Sequence, residues 1–154
     1  MRLVVSLLLA AANWPQFRGP ESSGVAADDP RLPDRWSKTE NIAWKTEIPG
    51  EGHASPIVWN DRVFTVTAVL EQKDRVLVCL DRKTGKVLWH RTVLTSPLER
   101  KHRLNSYASS TPATDGKLVY VTFLDQGDMV VTAYEFDGNQ KWLVRPGEFR
   151  SVHG

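Results

Sequence analysis

Cysteine is almost missing from this chain: Cys79 is the only one among 154 residues. An intrachain disulfide is therefore excluded, and so is a zinc site built on clustered thiolates. A surplus of either charge is also missing. Twenty Lys and Arg stand against 18 Asp and Glu, a net charge of +2. That balance lacks the clustered basic footprint of a nucleic-acid or membrane-surface partner. No apolar run reaches the roughly 20 residues of a membrane-spanning helix. The four histidines, His53, His90, His102 and His153, contain no pair at the i, i+4 spacing of a helical metal site. There is no Gly-rich phosphate loop, and no Ser/His/Asp arrangement can be argued from spacing. Acidic residues such as Asp28, Asp29, Asp61, Asp81 and Asp125 form no calcium-loop series. No catalytic residue and no metal ligand is assigned.

What is present begins at the N-terminus. Met1-Arg2 is a minimal positive segment, Leu3–Leu9 a short apolar core, and Ala10-Ala11-Ala12 a run of small residues. This order reads as a signal peptide over residues 1–12, cleaved near Ala12 to leave a mature chain starting at Asn13. Export to the periplasm or the extracellular space is expected, with no transmembrane segment after removal. Residues 13–40 read as an extended lead-in.

A repeat organises the rest. Ser55–Thr67 and Thr111–Thr122 each read as a strand, a tight turn and a second strand rich in β-branched and aromatic residues. Asn60-Asp61 and Asp115-Gly116 supply the turns, since they tolerate the positive φ that tight hairpins need. A second strand pair follows in each unit. Val76–Asp81 leads through Arg82–Gly85 to Lys86–Val93, and Met129–Phe136 leads through Asp137–Asn139 to Gln140–Val144. Two four-stranded antiparallel units are expected, at 53–93 and 105–145, with a period of about 54 residues, a little longer than usual propeller repeats.

Gly85 precedes Trp89, and Gly138 precedes Trp142, by the same interval, and Trp44 opens a comparable stretch, Trp44–Ile48. A Gly at the turn and a large ring on the next strand suit packing between adjacent units, with the indole N–H finding an acceptor. Trp44, Gly85, Trp89, Gly138 and Trp142 are therefore the expected docking residues. Residues 41–48 have no upstream hairpin partner and read as an orphan outer strand.

These residues resemble the tryptophan-docking repeats of the pyrroloquinoline-quinone-type propellers. That repeat reads Ala-x-Asp-x-x-Thr-Gly-Lys-x-x-Trp. Cys79, Asp81, Thr84, Gly85, Lys86 and Trp89 fall at its spacing, with Cys in place of Ala. Ala133, Glu135, Gly138 and Trp142 match in order, with one turn residue deleted. Asn13–Pro20, Gly52–Pro56 and Asn105–Pro112 are similar to segments of exported bacterial quinone-binding-like propellers. The resemblance implies an all-β propeller of four-stranded blades, here about two blades plus the orphan strand. Glu148–Gly154 resembles the lead-in to another blade, so residues 146–154 are expected to begin a further one, and the chain to be a piece of a larger ring.

The resemblance does not imply a bound quinone. Dehydrogenases of this type use calcium, a catalytic Asp and usually a vicinal Cys pair, and no Cys-Cys occurs here. No cofactor is identifiable, and pyrroloquinoline quinone enters only through the resemblance. His53 and His153 each precede a blade start, where propeller loops reach the channel. With the polar cluster Asn105, Ser106 and Tyr107 they are the candidate ligand-facing residues. Glu99–Arg103 reads as a solvated loop, with an anion site as the alternative. Cys79, inside an apolar run, reads as a small core residue. Two functions are carried forward. One is a non-catalytic binding or scaffold propeller of the bacterial envelope with an unknown protein or glycan partner. The other is a piece of a quinone-dependent alcohol or sugar dehydrogenase whose cofactor residues lie on other blades.

Overall fold

Alternation of β-branched and aromatic residues, broken by turn formers, builds eight strands in two sheets. The structure is a computed structural model that describes residues 13–30 and 32–150. The expected signal peptide lies outside the described residues. The first sheet contains β1 (Ile57–Trp59), β2 (Arg62–Val69), β3 (Asp74–Asp81) and β4 (Val87–Thr95). The second contains β5 (Ala113–Thr114), β6 (Leu118–Asp125), β7 (Asp128–Glu135) and β8 (Gln140–Glu148). Each is a four-stranded antiparallel meander in sequence order. These are two blades of a propeller-type, all-β fold. Among the described residues the only helical element is a single 3-10 turn, Pro20–Ser22.

The register explains the packing. Phe64 pairs with Cys79, Val66 with Leu77 and Ala68 with Arg75, so these six side chains share one face of blade one. Against that face blade two sets Val119, Val121, Phe123 and Tyr134, forming one core cluster with Phe64, Val66, Leu77 and Cys79. The rings of Phe64 and Phe136 meet edge-on at 5.1 Å. Full burial of a side chain such as Phe64 contributes about 1.5–3 kcal/mol. The opposite face of blade one carries Val63, Val76, Val78 and Leu80, against which Trp44 and Ile48 pack. Because both faces are covered, all six interior residues of β3 are buried. The outermost strands β4 and β8 are largely exposed.

The N-terminal lead-in does more than connect. Trp14 exchanges two backbone hydrogen bonds with Val58, and the Thr114 N–H donates to the Pro15 carbonyl. Residues 14 and 15 thus span the free edges of both innermost strands, β1 and β5. The segment 41–48 forms no backbone ladder among the described residues. It lies against blade one through the side chains of Trp44, Thr46 and Ile48. A strand needs a neighbouring edge for its ladder, and among the described residues none pairs with this segment.

Candidate functional site

Two features draw on the residues singled out in the sequence: the seams between units and a cavity beside the loop that joins the blades. The seams start from turn chemistry. Asp81 Oδ1 accepts from the Thr84 N–H at 2.8 Å and from the Thr84 hydroxyl at 2.7 Å. These bonds, the hydroxyl first, hold the Asp81 carboxyl below the ordinary carboxylate range. They also shape a turn that ends at Gly85 with φ 72°. The ring of Trp44 lies over this glycine. Its indole N–H donates to the Arg82 carbonyl at 2.9 Å, and the Thr46 hydroxyl donates to the Gly85 carbonyl at 2.6 Å. The second seam repeats the plan. Trp89 Nε1 donates to the Phe136 carbonyl at 3.0 Å, and Arg91 Nε donates to the Gly138 carbonyl at 2.8 Å. Each Trp therefore lies on the glycine turn of the following unit, not on its own. Trp142 remains 40% exposed, its ring 6.0 Å from that of Tyr120.

The cavity, about 620 Å³, opens between the loop joining β4 to β5 and the outward face of blade two. Asn105, Ser106, Tyr107, Ser109 and Ser110 form one wall; Thr122, Leu124 and Met129 form the floor; Arg100, Lys101 and Arg150 add positive charge. Buried ion pairing holds the wall. Arg75, fully buried, donates to the carbonyls of Lys73 at 3.0 Å and Ser96 at 2.8 Å and pairs with Glu99 at 2.9 Å. Its guanidinium lies 5.3 Å from the Tyr107 ring centroid, and the Tyr107 hydroxyl donates to the Glu99 carbonyl at 2.9 Å. Lys101 Nζ donates to the Asn105 carbonyl and lies 5.1 Å from the centroid of the same ring. Ser96 adds a hydroxyl bond to Asp125, which also pairs with Arg145. The Ser96 bond comes first among the causes that lower the Asp125 pKa. Arg75 Nε is the one buried side-chain polar atom without a partner among the described residues.

Of the candidate ligand-facing residues, Asn105, Ser106 and Tyr107 are brought together in this cavity. His53 is exposed and does not line it; its backbone N–H instead binds the loop, donating to Ser106 Oγ and the Ala108 carbonyl. His153 lies outside the described residues. The 99–103 cluster divides: Glu99 is held by Arg75 and Lys101 is half-buried, while Arg100, His102 and Arg103 are exposed. Arg75 was not legible as a site residue, because an Arg at the start of an apolar run looks like a strand edge. Its one signal is the register, which gives blade one Arg75 where blade two has Met129.

A calcium and quinone centre takes a converging set of oxygen ligands. The described residues gather no group of three or more His, Cys, Asp or Glu side chains, so that donor set is not assembled within them. Cys79 is buried, and desolvation pushes its thiol up to about 12. No helix among the described residues is long and apolar enough to cross a membrane.

A family model described as outer membrane protein assembly factor BamB matches residues 25–142, spanning both blades up to Trp142. No curated protein matches the sequence.

Proposed function

This chain belongs to the family described as outer membrane protein assembly factor BamB, a family of quinone-type propeller repeats, and from that premise we propose a non-catalytic binding or scaffold module of the bacterial envelope. The observation that carries the reading is the cavity of about 620 Å³. It combines an apolar floor, hydroxyl and amide groups and the basic side chains of Arg100 and Lys101, which is the usual make-up of a recognition pocket. A protein partner fits the family description better than a glycan, since the family is described by its part in protein assembly. The signal-type N-terminus agrees with an envelope location.

Two measurements test this. A photo-crosslinking amino acid in place of Arg100, at the cavity, should give a discrete adduct with an envelope polypeptide in cells. The same group in place of Glu71, exposed on the β2–β3 turn, should give none. Equal or absent adducts at both positions overturn the reading. Calcium and pyrroloquinoline quinone added to the purified chain should produce no dye-linked oxidation of alcohols or sugars. Oxidation would favour the dehydrogenase reading instead.

A further inference from the structure

The lead-in occupies strand edges that the blades themselves leave free. β1 and β5 are end strands of their sheets, and in a propeller such inner edges face the central channel. A free edge is a row of N–H and C=O groups with which any extended chain can pair. Here the chain pairs with its own edges. The Trp14 N–H donates to the Val58 carbonyl at 2.7 Å, and the Val58 N–H donates back to the Trp14 carbonyl at 2.9 Å. The Pro15 carbonyl accepts from the Thr114 N–H at 2.8 Å. Asn13 Oδ1 accepts from the Asn60 N–H at 2.7 Å. Pro15 has no N–H to return to β5, so the pairing stops there.

Beyond Pro15 the chain winds on itself. Arg18, Gly19, Glu21, Ser22 and Gly24 all have positive φ, from 53° to 72°. The hydrogen bonds that shape this turn run within it. The N–H groups of Gly19, Ser22 and Gly24 donate to the carbonyls of Gln16, Gly19 and Arg18, and Gln16 Nε2 donates to Ser22 Oγ. The Trp14 ring packs on Gly19, where a side-chain carbon would come to 2.6 Å from it. One ring thus couples the turn to the residues seated on the edges. The blades are joined without it. The Trp59 ring lies on Gly116, 2.4 Å from where a side-chain carbon would stand, and the Ser55 N–H donates to Thr111 Oγ1 at 3.1 Å. The core cluster shared by the blades contains no residue before Ala54.

We propose that residues 13–25 are a detachable plug, an autoinhibitory segment that holds the inner edges of both blades and keeps other extended polypeptides from pairing with them. Recognition by such an edge is through main-chain groups, which is strand addition. Release of the plug opens the β1 and β5 edges together and leaves the blades stacked. The cavity beside the loop joining the blades shares no residue with this seat, so the two stand or fall separately.

Gly19→Val is the first test, because its side chain must enter the space of the Trp14 ring. Hydrogen exchange at the Val58, Asn60 and Thr114 amides should speed up about tenfold or more, while Val66, Leu77 and Val121 in the blade core keep their wild-type rates. A labelled peptide with the sequence of residues 13–25, added to the intact chain, is the second. It should bind the variant at least about tenfold more tightly than the wild type, whose own tethered segment competes at a millimolar effective concentration. The same peptide carrying Trp14→Pro, which lacks the N–H given to Val58, should bind neither. Trp14→Ala removes the ring and keeps the main chain, and should give the same exchange pattern more weakly; it decides the matter where Gly19→Val does not fold. Wild-type exchange at the three edge amides in the folded variants overturns the proposal. So does acceleration throughout the core, which would make the segment a staple of the blades, and so does equal peptide binding to variant and wild type.

Discussion

The ring of Trp44 lies on Gly85 in the position that any side chain at residue 85 would have to enter. At Gly138 the contact is looser: an added side-chain carbon would come to 3.0 Å from both the Arg91 guanidinium and the Trp89 ring, against 2.4 Å from the Trp44 ring at Gly85. Gly127 has a comparable backbone, φ +95°, yet a side chain there would meet nothing within 4 Å. The three glycines therefore separate backbone strain from steric exclusion. Gly127→Ala should cost about 1–2 kcal/mol from the positive φ alone. Gly85→Ala should cost about 2–4 kcal/mol, because displacement of the ring and its N–H bond adds to the strain. Urea unfolding of the three alanine variants measures the difference, and equal losses would mean that the rings contribute nothing.

The buried pair Arg75 and Glu99 should behave as a unit. Glu99→Gln leaves a buried guanidinium without its counter-charge and should lose about 2–4 kcal/mol. Arg75→Met installs the residue that blade two has at the same register. Combined with Glu99→Gln, it should recover part of that loss. A double-mutant cycle is expected to give a coupling of about 1.5–3 kcal/mol; additive effects would show that the pair is not coupled.

Asp115 gives the fold an acid-sensitive turn. The N–H groups of Leu118 and Lys117, and then the Tyr120 hydroxyl, hold its carboxyl down at about 2, against 3.8 for a free side chain. A group whose pKa is lower in the folded state stabilises above its unfolded pKa and loses that contribution as pH falls through the folded one. Stability should thus drop between about pH 4 and pH 2 more steeply in the wild type than in Asp115→Asn. Melting curves across this window check the sign, and parallel curves for the two proteins would refute it.

Cys79 should serve as a reporter of opening. Its thiol is buried and pushed up to about 12 by desolvation, so almost no thiolate is present at neutral pH. A thiol-specific reagent should label it only as fast as the two blades separate or unfold. Urea well below the unfolding midpoint should leave the rate slow, and labelling at the rate of a free thiol would show that the seam between the blades is not closed.

The blades were legible in the sequence because their signals are local. Asn60-Asp61, Asp115-Gly116 and the Asp81–Gly85 turn each act within a few residues. The β-branched runs between them leave little choice but paired strands. The cavity was legible only in part. Asn105, Ser106 and Tyr107 stood out as a polar cluster before a blade start, but His53 at the matching place uses its backbone against the neighbouring loop. Which glycine each tryptophan covers was not legible either. Trp89 and Gly138 are far apart in the chain, and only blade stacking brings them together.

By itself, then, the sequence determined two four-stranded units, their turns, and a family of repeats in which a large ring meets a glycine. Those follow from hydrogen-bonding and steric rules that act between near neighbours. Tertiary structure alone decided that Arg75 is buried, that Glu99 answers it, and that Ala108 of the second unit is buried against His53 and Ala54 of the first. Strand register and the stacking of one sheet on another set these, and both depend on contacts between residues that no local rule connects.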